Sequence, residues 1–328
     1  MEAKSTGTLT TKRFLQGALL GTVAAAIWGG WPVVTRFGVQ QTLNAYDICA
    51  LRFSVAGLLM LPLLIRKGFF SVGVGKSLIL ALGAGAPYVC VSAIGLVYAP
   101  AGHLGMIEPS FMLVMSMIGG IVILGERPSR SQLLGYAIIL FGVATIGMSS
   151  LTFGGGSDVI FGDLLFLFGG LLWATYTVAS KKWGIKAFHA TAIVSCWSMV
   201  LYLPFYLLVI GTNIPQAPVS EIVTQSIAQG VLAGVLALVF FTKSVEILGS
   251  GRGALFGTLV PGTAVLLAWP ALGERPSATE WLGLVLVSLG LMLALGVIQR
   301  QLTLARERRA LADRRGTGPA PILERQAG

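Results

Sequence analysis

Long apolar runs separated by short polar segments recur along the whole chain. A run of about 20 apolar residues is long enough for a helix to cross the hydrocarbon core of a bilayer. Lipid offers no water to an open backbone, so each such run is predicted to be helical. The fold class predicted is therefore an all-α integral membrane protein. The ten predicted transmembrane helices lie at residues 14–36, 45–65, 77–97, 100–124, 131–150, 161–181, 189–211, 224–246, 251–272 and 279–298.

The composition supports this class. Hydrophobic residues make up 55% of the chain and charged residues only 11%, whereas a soluble domain carries about 25% charged residues. The net charge of +10 arises in short loops between the spans and in the last segment of the chain. That distribution is typical of loops facing anionic lipid. The lipid bilayer is therefore the predicted partner, and nucleic acid is not.

The positive charges also predict an orientation. If the N-terminus lies inside, thirteen lysines and arginines of the loops face the cytoplasm and only Arg36 and Arg275 face outward. The positive-inside rule then places both termini in the cytoplasm, as expected for a multi-pass protein of a bacterial inner membrane. Residues 1–13 form the predicted cytoplasmic N-terminus, and residues 299–328 a basic cytoplasmic tail.

A duplicated motif indicates an internal repeat. The hexapeptide LGERPS occurs at 124–129 and again at 272–277, and the sequence that follows it also matches, so Gly135 and Gly142 recur as Gly283 and Gly290. Earlier in each half, three positions recur with a slightly different offset. These are Trp28, Trp31 and Arg36, which correspond to Trp173, Tyr176 and Lys181. The chain is interpreted as a tandem duplication.

An odd number of spans per copy inverts the second copy. The predicted halves are a five-helix repeat at 14–150 and a second at 161–298, joined by a periplasmic linker at 151–160. Inverted repeats are the architecture of many secondary transporters, with the binding site near the middle of the membrane. The two hexapeptides then lie on opposite faces, as turns in which Glu126, Arg127 and their second-copy equivalents cap helix ends or pair with each other.

These features together resemble the drug/metabolite transporter superfamily, and in particular the EamA-type permeases. The resemblance is carried by Arg52 in the second span, by prolines in the fourth and ninth spans, and by LGERPS before a glycine-rich last helix in each half. It implies ten helices around a central cavity lined mainly by spans 1, 3, 4, 6, 8 and 9, with spans 5 and 10 at the periphery.

Two ionisable residues lie deep within predicted spans, where such groups are costly and usually paired or functional. Arg52 and Glu108 fall at similar depths, and both charges are absent from the matching positions Trp197 and Phe256. One interpretation is a structural or coupling ion pair between them. The other is that Glu108 binds substrate or protons directly.

The predicted substrate pathway is largely aromatic. Trp28 and Trp31 share a helix face, and Trp173 and Tyr176 repeat the pair in the second copy. Aromatic side chains that line a cavity stack on planar or cationic ligands, although helix packing is an alternative role. Tyr88, beside Pro87, is a further lining candidate.

Two more sites complete the candidate list. His103, near the outer start of the fourth span, is interpreted either as a proton relay with Glu108 or as a hydrogen-bonded residue near the headgroups. Lys243 and Glu246 form a candidate cytoplasmic gate or a simple ion pair. Prolines inside spans, at 32, 87, 109 and 261, are candidate flexible points.

The predicted function is secondary transport of a small metabolite by alternating access. By the family resemblance, the substrate is an amino acid or related compound, moved outward, with protons as a candidate coupling ion. No cofactor or metal is predicted, since the chain has no Walker-type motif and its three cysteines have no metal spacing. The alternatives are a passive channel or facilitator and an intramembrane enzyme. An enzyme is disfavoured because GxSxG and HExxH motifs are absent.

Overall fold

The computed structural model describes residues 11–68, 70–152 and 156–296, and every regular element in these ranges is helical. Within them, nine helical segments are long and apolar enough to cross a membrane, and Ala278–Ala294 is a shorter apolar helix. Each of the ten predicted spans therefore corresponds to helix within its described residues. Most of the predicted N-terminus and the whole basic tail at 299–328 lie outside the described residues.

The predicted spans map onto thirteen α-helices, because three spans are interrupted. Short π-helical segments at Tyr206–Ile210 and Ser226–Leu236 extend the seventh span and continue the eighth. The helices are α1 (Thr11–Val39), α2 (Ala45–Lys67), α3 (Val74–Ala84), α4 (Ala86–Tyr98), α5 (Ala101–Leu124), α6 (Arg130–Thr152), α7 (Gly156–Lys182), α8 (Ala187–Phe205), α9 (Val219–Gln225), α10 (Ala237–Leu248), α11 (Ser250–Gly257), α12 (Val260–Leu272) and α13 (Ala278–Ala294).

The third span breaks at Gly85, between α3 and α4. A Cβ at Gly85 would lie 2.1 Å from the Ser198 hydroxyl, so only glycine allows α8 to approach this closely. The same hydroxyl accepts a hydrogen bond of 3.1 Å from the Ala86 backbone, which satisfies a donor that the break exposes. The break is thus stabilised by a neighbouring helix.

Prolines interrupt the spans less often than the sequence suggests. Pro261 lies in the first turn of α12, immediately after the break that separates it from α11. In contrast, α1 and α5 run without interruption through Pro32 and Pro109. A transmembrane helix tolerates an internal proline where neighbouring groups satisfy the freed carbonyl. Helices α1 and α5 thus contain no break at these prolines, and the role of the four prolines as flexible points stays a prediction.

The glycines that recur in both halves pack α6 against α13. A Cβ built on Gly135 would lie 2.8 Å from the carbonyl oxygen of Gly290, and a Cβ on Gly290 would lie 2.8 Å from that of Gly135. About two turns further along, a Cβ on Gly283 would lie 3.2 Å from the Gly142 carbonyl oxygen. Small residues let membrane helices approach closely enough for extensive van der Waals contact.

The remaining helices enclose the interior. Helix α1 packs against α10 and α12, α7 packs against α3, α4 and α5, and α2 packs against α8. The 24 residues of α5 span about 36 Å at 1.5 Å per residue, so its two termini lie at opposite ends of the bundle. We call the end that carries Arg36 and Glu274 the Arg36 end, and the end that carries Lys181 and Glu126 the Lys181 end.

Candidate functional site

Each LGERPS glutamate forms an ion pair with a cation from the other half of the chain. Glu274 pairs with Arg36 at the end of α1, and Glu126 pairs with Lys181 at the end of α7. The alignment of the two halves equates Arg36 with Lys181 and Glu126 with Glu274. The two pairs are therefore reciprocal. One role predicted from the sequence was that each glutamate pairs with the arginine beside it in the hexapeptide, and that pairing is not formed.

The pair at the Arg36 end is buried within a hydrogen-bond network. The side chains of Arg36 and Glu274 are 15% and 17% exposed. Arg36 also donates to the carbonyls of Leu96, at 2.7 Å, and of Ala99. Glu274 accepts a hydrogen bond of 2.9 Å from the Ala101 backbone, at the start of α5. Burial raises the pKa of the Glu274 carboxyl above its ordinary value, and Arg36 opposes that rise.

The pair at the Lys181 end lies in a far more open setting. The side chains of Lys181 and Glu126 are 65% and 41% exposed. An exposed ion pair adds little stability, because water screens it and two long side chains must be ordered. The two ends of the bundle thus carry equivalent ion pairs that differ greatly in their exposure to solvent.

His103 lies between two carboxylates at the Arg36 end. Its Nδ1 is 2.9 Å from Oδ1 of Asp163 on α7, and its Nε2 is 2.7 Å from Oε1 of Glu280 on α13. The imidazole is 3% exposed. The predicted relay from His103 to Glu108 is not formed, since the two side chains are held by different partners. Sequence reasoning missed Asp163 and Glu280, although both are acids near the start of a predicted span.

A cavity of about 90 Å³ lies at the centre of the bundle. It is bounded by α1, α2, α3, α7, α8, and by the π-helical segment and α10 of the eighth span. Spans 2 and 7 therefore contribute to it in place of the expected spans 4 and 9. Its lining includes Trp28, Arg52, Trp173, Tyr176, Thr191 and Ser195.

Aromatic rings form one wall of this cavity. Trp173 meets Tyr176 at a centroid distance of 5.8 Å, and Tyr88 meets Trp173 edge to face at 4.6 Å. Trp31 stacks on Tyr88 at 6.0 Å. Of the predicted pathway residues, Trp28, Trp173 and Tyr176 line the cavity directly. Trp31 and Tyr88 lie behind them as a second aromatic layer.

Arg52 lines the cavity and has no carboxylate within ion-pair distance in the described part of the chain. Its guanidinium lies over the Trp31 ring, 5.4 Å from the centroid, and over the Phe53 ring at 5.9 Å. Its side-chain hydrogen bond is a long one, 3.5 Å to Oε1 of Gln229. A buried cation with so few oxygen partners can accept an anionic ligand.

Glu108 is buried near Arg52 but forms no hydrogen bond or ion pair with it. It accepts hydrogen bonds from the Tyr88 hydroxyl and, at 2.5 Å, from the Ser92 hydroxyl. Gly169 permits this arrangement, since a Cβ there would lie 2.6 Å from Oε2 of Glu108. The predicted direct ion pair between Arg52 and Glu108 is therefore not formed. Equal depth brought the two charges near each other, but Tyr88 occupies the intervening position.

Two glutamines of the eighth span extend the polar network beside the cavity. Gln229 accepts a hydrogen bond of 2.6 Å from the Trp31 indole and donates one of 2.8 Å to Thr35. Gln225, one turn away, donates at 2.8 Å to the Val34 carbonyl. Both glutamines are buried. Neither was predicted to belong to the site, because an uncharged amide within an apolar run is a weaker signal than an ionisable group.

The candidate gate pair lies at the surface. Lys243 Nζ is 3.0 Å from Oε2 of Glu246, and the two side chains are 58% and 56% exposed. They lie near the end of α10, which packs beside Gly17 at the start of α1. This position is at the Lys181 end. The contact is the exposed ion pair that the spacing of three residues favours.

A profile of the EamA-like transporter family matches the chain over residues 15–148 and 160–296. The chain belongs to this family. It is a multi-pass membrane protein, and the names of its relatives are those of transporters rather than enzymes.

The relatives are distant but cover most of the chain. An "Uncharacterized transporter" of Archaeoglobus fulgidus is 25% identical over 285 residues, which cover 84% of this chain and 96% of the relative. A "Probable amino-acid metabolite efflux pump" of Escherichia coli is 25% identical over 291 residues, covering 83% of this chain and 92% of that protein. A protein known by a crystal structure shares the fold, with a TM-score of 0.55 and 19% identity, and the match covers 87% of this chain and 98% of that one.

Proposed function

We propose that this EamA-family protein is a secondary transporter that exports a small amphipathic metabolite, an amino acid or a related carboxylate, by alternating access. The observation that carries the proposal is this cavity, where no carboxylate of the described residues lies within ion-pair distance of Arg52 and aromatic rings form one wall. A carboxylate ligand would compensate this cation. Its apolar part would contact Trp173 and Tyr176.

The cavity is small for such a ligand in this state. At about 90 Å³ it lies below the roughly 300–1,000 Å³ of typical ligand pockets. Binding therefore requires the aromatic side chains to move, as expected for a carrier that closes around its substrate. A passive channel would instead need a continuous polar path, which the buried pair at the Arg36 end opposes.

The reciprocal ion pairs supply the two gates of the proposed cycle. We place the Arg36 end at the periplasmic face and the Lys181 end, with both chain termini, at the cytoplasmic face of a bacterial inner membrane. The contacts of α1 with α10 and α12, matched by those of α7 with α4 and α5, support the inverted repeat. In this state the periplasmic gate is closed, and the weaker Glu126–Lys181 pair is the one that opens to admit substrate.

Counterflow in proteoliposomes tests the proposal. Vesicles loaded with an unlabelled amino-acid mixture are diluted into a trace of each labelled amino acid, and uptake is followed. A carrier gives transient, saturable accumulation of the label, whereas a channel gives none above equilibrium. Arg52→Gln should abolish the signal, while Arg66→Gln, an exposed arginine at the end of the same helix, serves as the matched control. Equal counterflow in both variants would refute the assignment of Arg52.

A direct binding assay identifies the ligand class. Thermal unfolding of the purified protein is measured with amino acids and with their amides, which lack the carboxylate. A ligand at 100 times its Kd stabilises the folded state by about 2.7 kcal/mol, which corresponds to a Tm increase of about 4 °C for a chain of 328 residues. The proposal requires stabilisation by acids and not by the matching amides.

A further inference from the structure

The cluster of His103, Asp163 and Glu280 brings three titratable side chains from three helices to one point at the Arg36 end. The two ring nitrogens of His103 lie 2.9 Å and 2.7 Å from the two carboxylates. The imidazole is almost fully buried, and the two acids are 10% and 17% exposed. These contacts join α5 to α7 and α13, so the cluster ties both halves of the chain together at this end.

The two contacts together require an extra proton. A neutral imidazole carries a single N–H group and one lone pair, and an ionised carboxylate only accepts hydrogen bonds. With a neutral histidine and two ionised acids, one ring nitrogen would direct its lone pair at a carboxylate oxygen. Both contacts are satisfied when His103 is protonated, or when one of the acids is.

The geometry does not fit a metal ion. Asp163 and Glu280 lie against different nitrogens, on opposite sides of the imidazole ring. In the ranges that the structure describes, no three His, Cys, Asp or Glu side chains converge to hold a metal. The arrangement instead accommodates protons, with one proton in each of the two short contacts.

Solvent access to the cluster comes from the Arg36 end. A crevice of about 140 Å³, lined by His103, Glu280, Glu274 and Arg275, reaches it. Glu280 also accepts a hydrogen bond of 2.6 Å from the Ser277 backbone as part of the capping box of α13. Water in the crevice can therefore exchange a proton with the Glu280 carboxylate, whose position on α13 is fixed by the capping box.

Other charges face the cluster from the surrounding elements. Glu274 lies close enough to influence the histidine and is neutralised by Arg36, while Arg275 lines the same crevice. Asp158 is exposed in the first turn of α7, and Tyr98 of α4 packs on a phenylalanine ring. Among the described residues, α6 and α12 bring no titratable group to this end.

We propose that His103, Asp163 and Glu280 form a proton-binding site whose occupancy keeps the Arg36 end closed. With the proton bound, both ring nitrogens donate and the three helices are held together. When the proton leaves to crevice water, one contact becomes a repulsion between a lone pair and a carboxylate, and α5 separates from α7 or α13. A role of this proton-binding site in controlling export rests on the function proposed above. The pH-dependent opening of the Arg36 end does not.

Asparagine at position 163 separates this proposal from an ordinary buried salt bridge. In Asp163→Asn the amide can donate to one nitrogen of a neutral His103, while the other nitrogen donates to Glu280. Both contacts then persist without the extra proton, so the closed state no longer depends on pH. A simple ion-pair role gives the opposite expectation, because loss of the Asp163 charge would loosen the contact at every pH.

Cysteine labelling in detergent gives a readout that needs no transport substrate. Val265, which lines the crevice and is 3% exposed, is replaced by cysteine in a background lacking the native cysteines. Its reaction with a water-soluble maleimide is timed from pH 6 to pH 9, in parallel with the same thiol in the Asp163→Asn variant. The ratio of the parent's labelling rate to that of the Asp163→Asn variant cancels the pH dependence that the thiol has in both proteins. Unfolding curves confirm that both proteins are folded.

We expect this ratio to be near one at pH 6 and to rise by up to about tenfold per pH unit once the proton is released. A ratio that stays constant across the range would overturn the proposal, as would faster labelling of Asp163→Asn than of the parent at pH 6. Because the labelling involves no solute movement, failure of the counterflow experiment would leave this result intact, and the reverse also holds.

Discussion

Removal of either charge from the Arg36–Glu274 pair should destabilise the protein far more than removal of the equivalent charge at the other end. Both side chains are about one-sixth exposed, and each keeps backbone partners that hold it in place. The loss of one partner from a fully buried pair costs about 3–5 kcal/mol. Allowing for the partial exposure, we expect about 2–4 kcal/mol for Arg36→Gln or Glu274→Gln.

The matched perturbation is Lys181→Gln, whose pair is largely in solvent. An exposed pair contributes about 0–1 kcal/mol. For a chain of 328 residues, an unfolding entropy of about 2.1 cal/mol/K per residue corresponds to about 1.5 °C per kcal/mol. The Tm should therefore fall by about 3–6 °C for the Arg36 variant and by no more than about 1.5 °C for the lysine variant. Thermal unfolding in the same detergent measures both values.

A double-mutant cycle isolates the interaction itself. Combining Arg36→Gln with Glu274→Gln removes both buried charges, so the double variant should be less destabilised than the sum of the two single variants. We expect a coupling energy of about 1–3 kcal/mol, the range for groups in direct contact. Additive effects, or an equal Tm loss for Lys181→Gln, would refute the reasoning that burial makes the Arg36 end the stronger closure.

Three further pairs of substitutions test the packing and the site. Gly290→Leu should lower stability by about 1–3 kcal/mol or more, because its Cβ would lie 2.7 Å from Ile139, whereas Gly147→Leu points into open space and should not. Trp173→Ala should weaken binding of the transported solute about 2–10-fold in a thermal-shift titration, by loss of one aromatic contact, and the exposed Trp269→Ala should leave it unchanged. Glu108→Gln should keep the Tm within about 3 °C, since the amide satisfies both hydroxyls, while Glu108→Ala should cost about 1–3 kcal/mol per unpaired hydroxyl.

The helices were predictable because their signal is local. A run of apolar residues specifies a membrane helix whatever it packs against, so all ten spans were found and their ends differ by only a few residues from the observed bounds. The break at Gly85 was not predicted, because it depends on the Ser198 hydroxyl more than a hundred residues away. Pro109 is the opposite case. A proline inside a helix removes a backbone hydrogen bond and commonly breaks the helix, yet α5 continues through it.

The partners of the buried charges were harder to predict. Depth along a helix follows from residue number, but the direction in which a side chain points follows from how the helix is rotated in the bundle. Arg52 and Glu108 do lie at similar depth, yet Tyr88 meets Glu108 first. His103 was recognised as a candidate, but its two acids lie 60 and 177 residues away. Each acid alone is indistinguishable from one that favours a helix N-terminus.

The repeated hexapeptide explains why a carrier needs the same charge twice. Under the proposed inversion, the two copies of the turn lie on opposite faces of the membrane. Each places its glutamate beside the first helix of the opposite half. A cycle of alternating access requires that the two closures differ in strength at any moment. Arg36 reaches two backbone carbonyls as well as its glutamate, which a planar fork of five donors permits. Lys181 is a compact, strongly hydrated ammonium group that remains in water. If the two pairs are the gates proposed above, the identity of the cation biases the resting state toward closure at the Arg36 end. Exchange of the two cations, with Arg36→Lys and Lys181→Arg, should then shift that bias toward the other end.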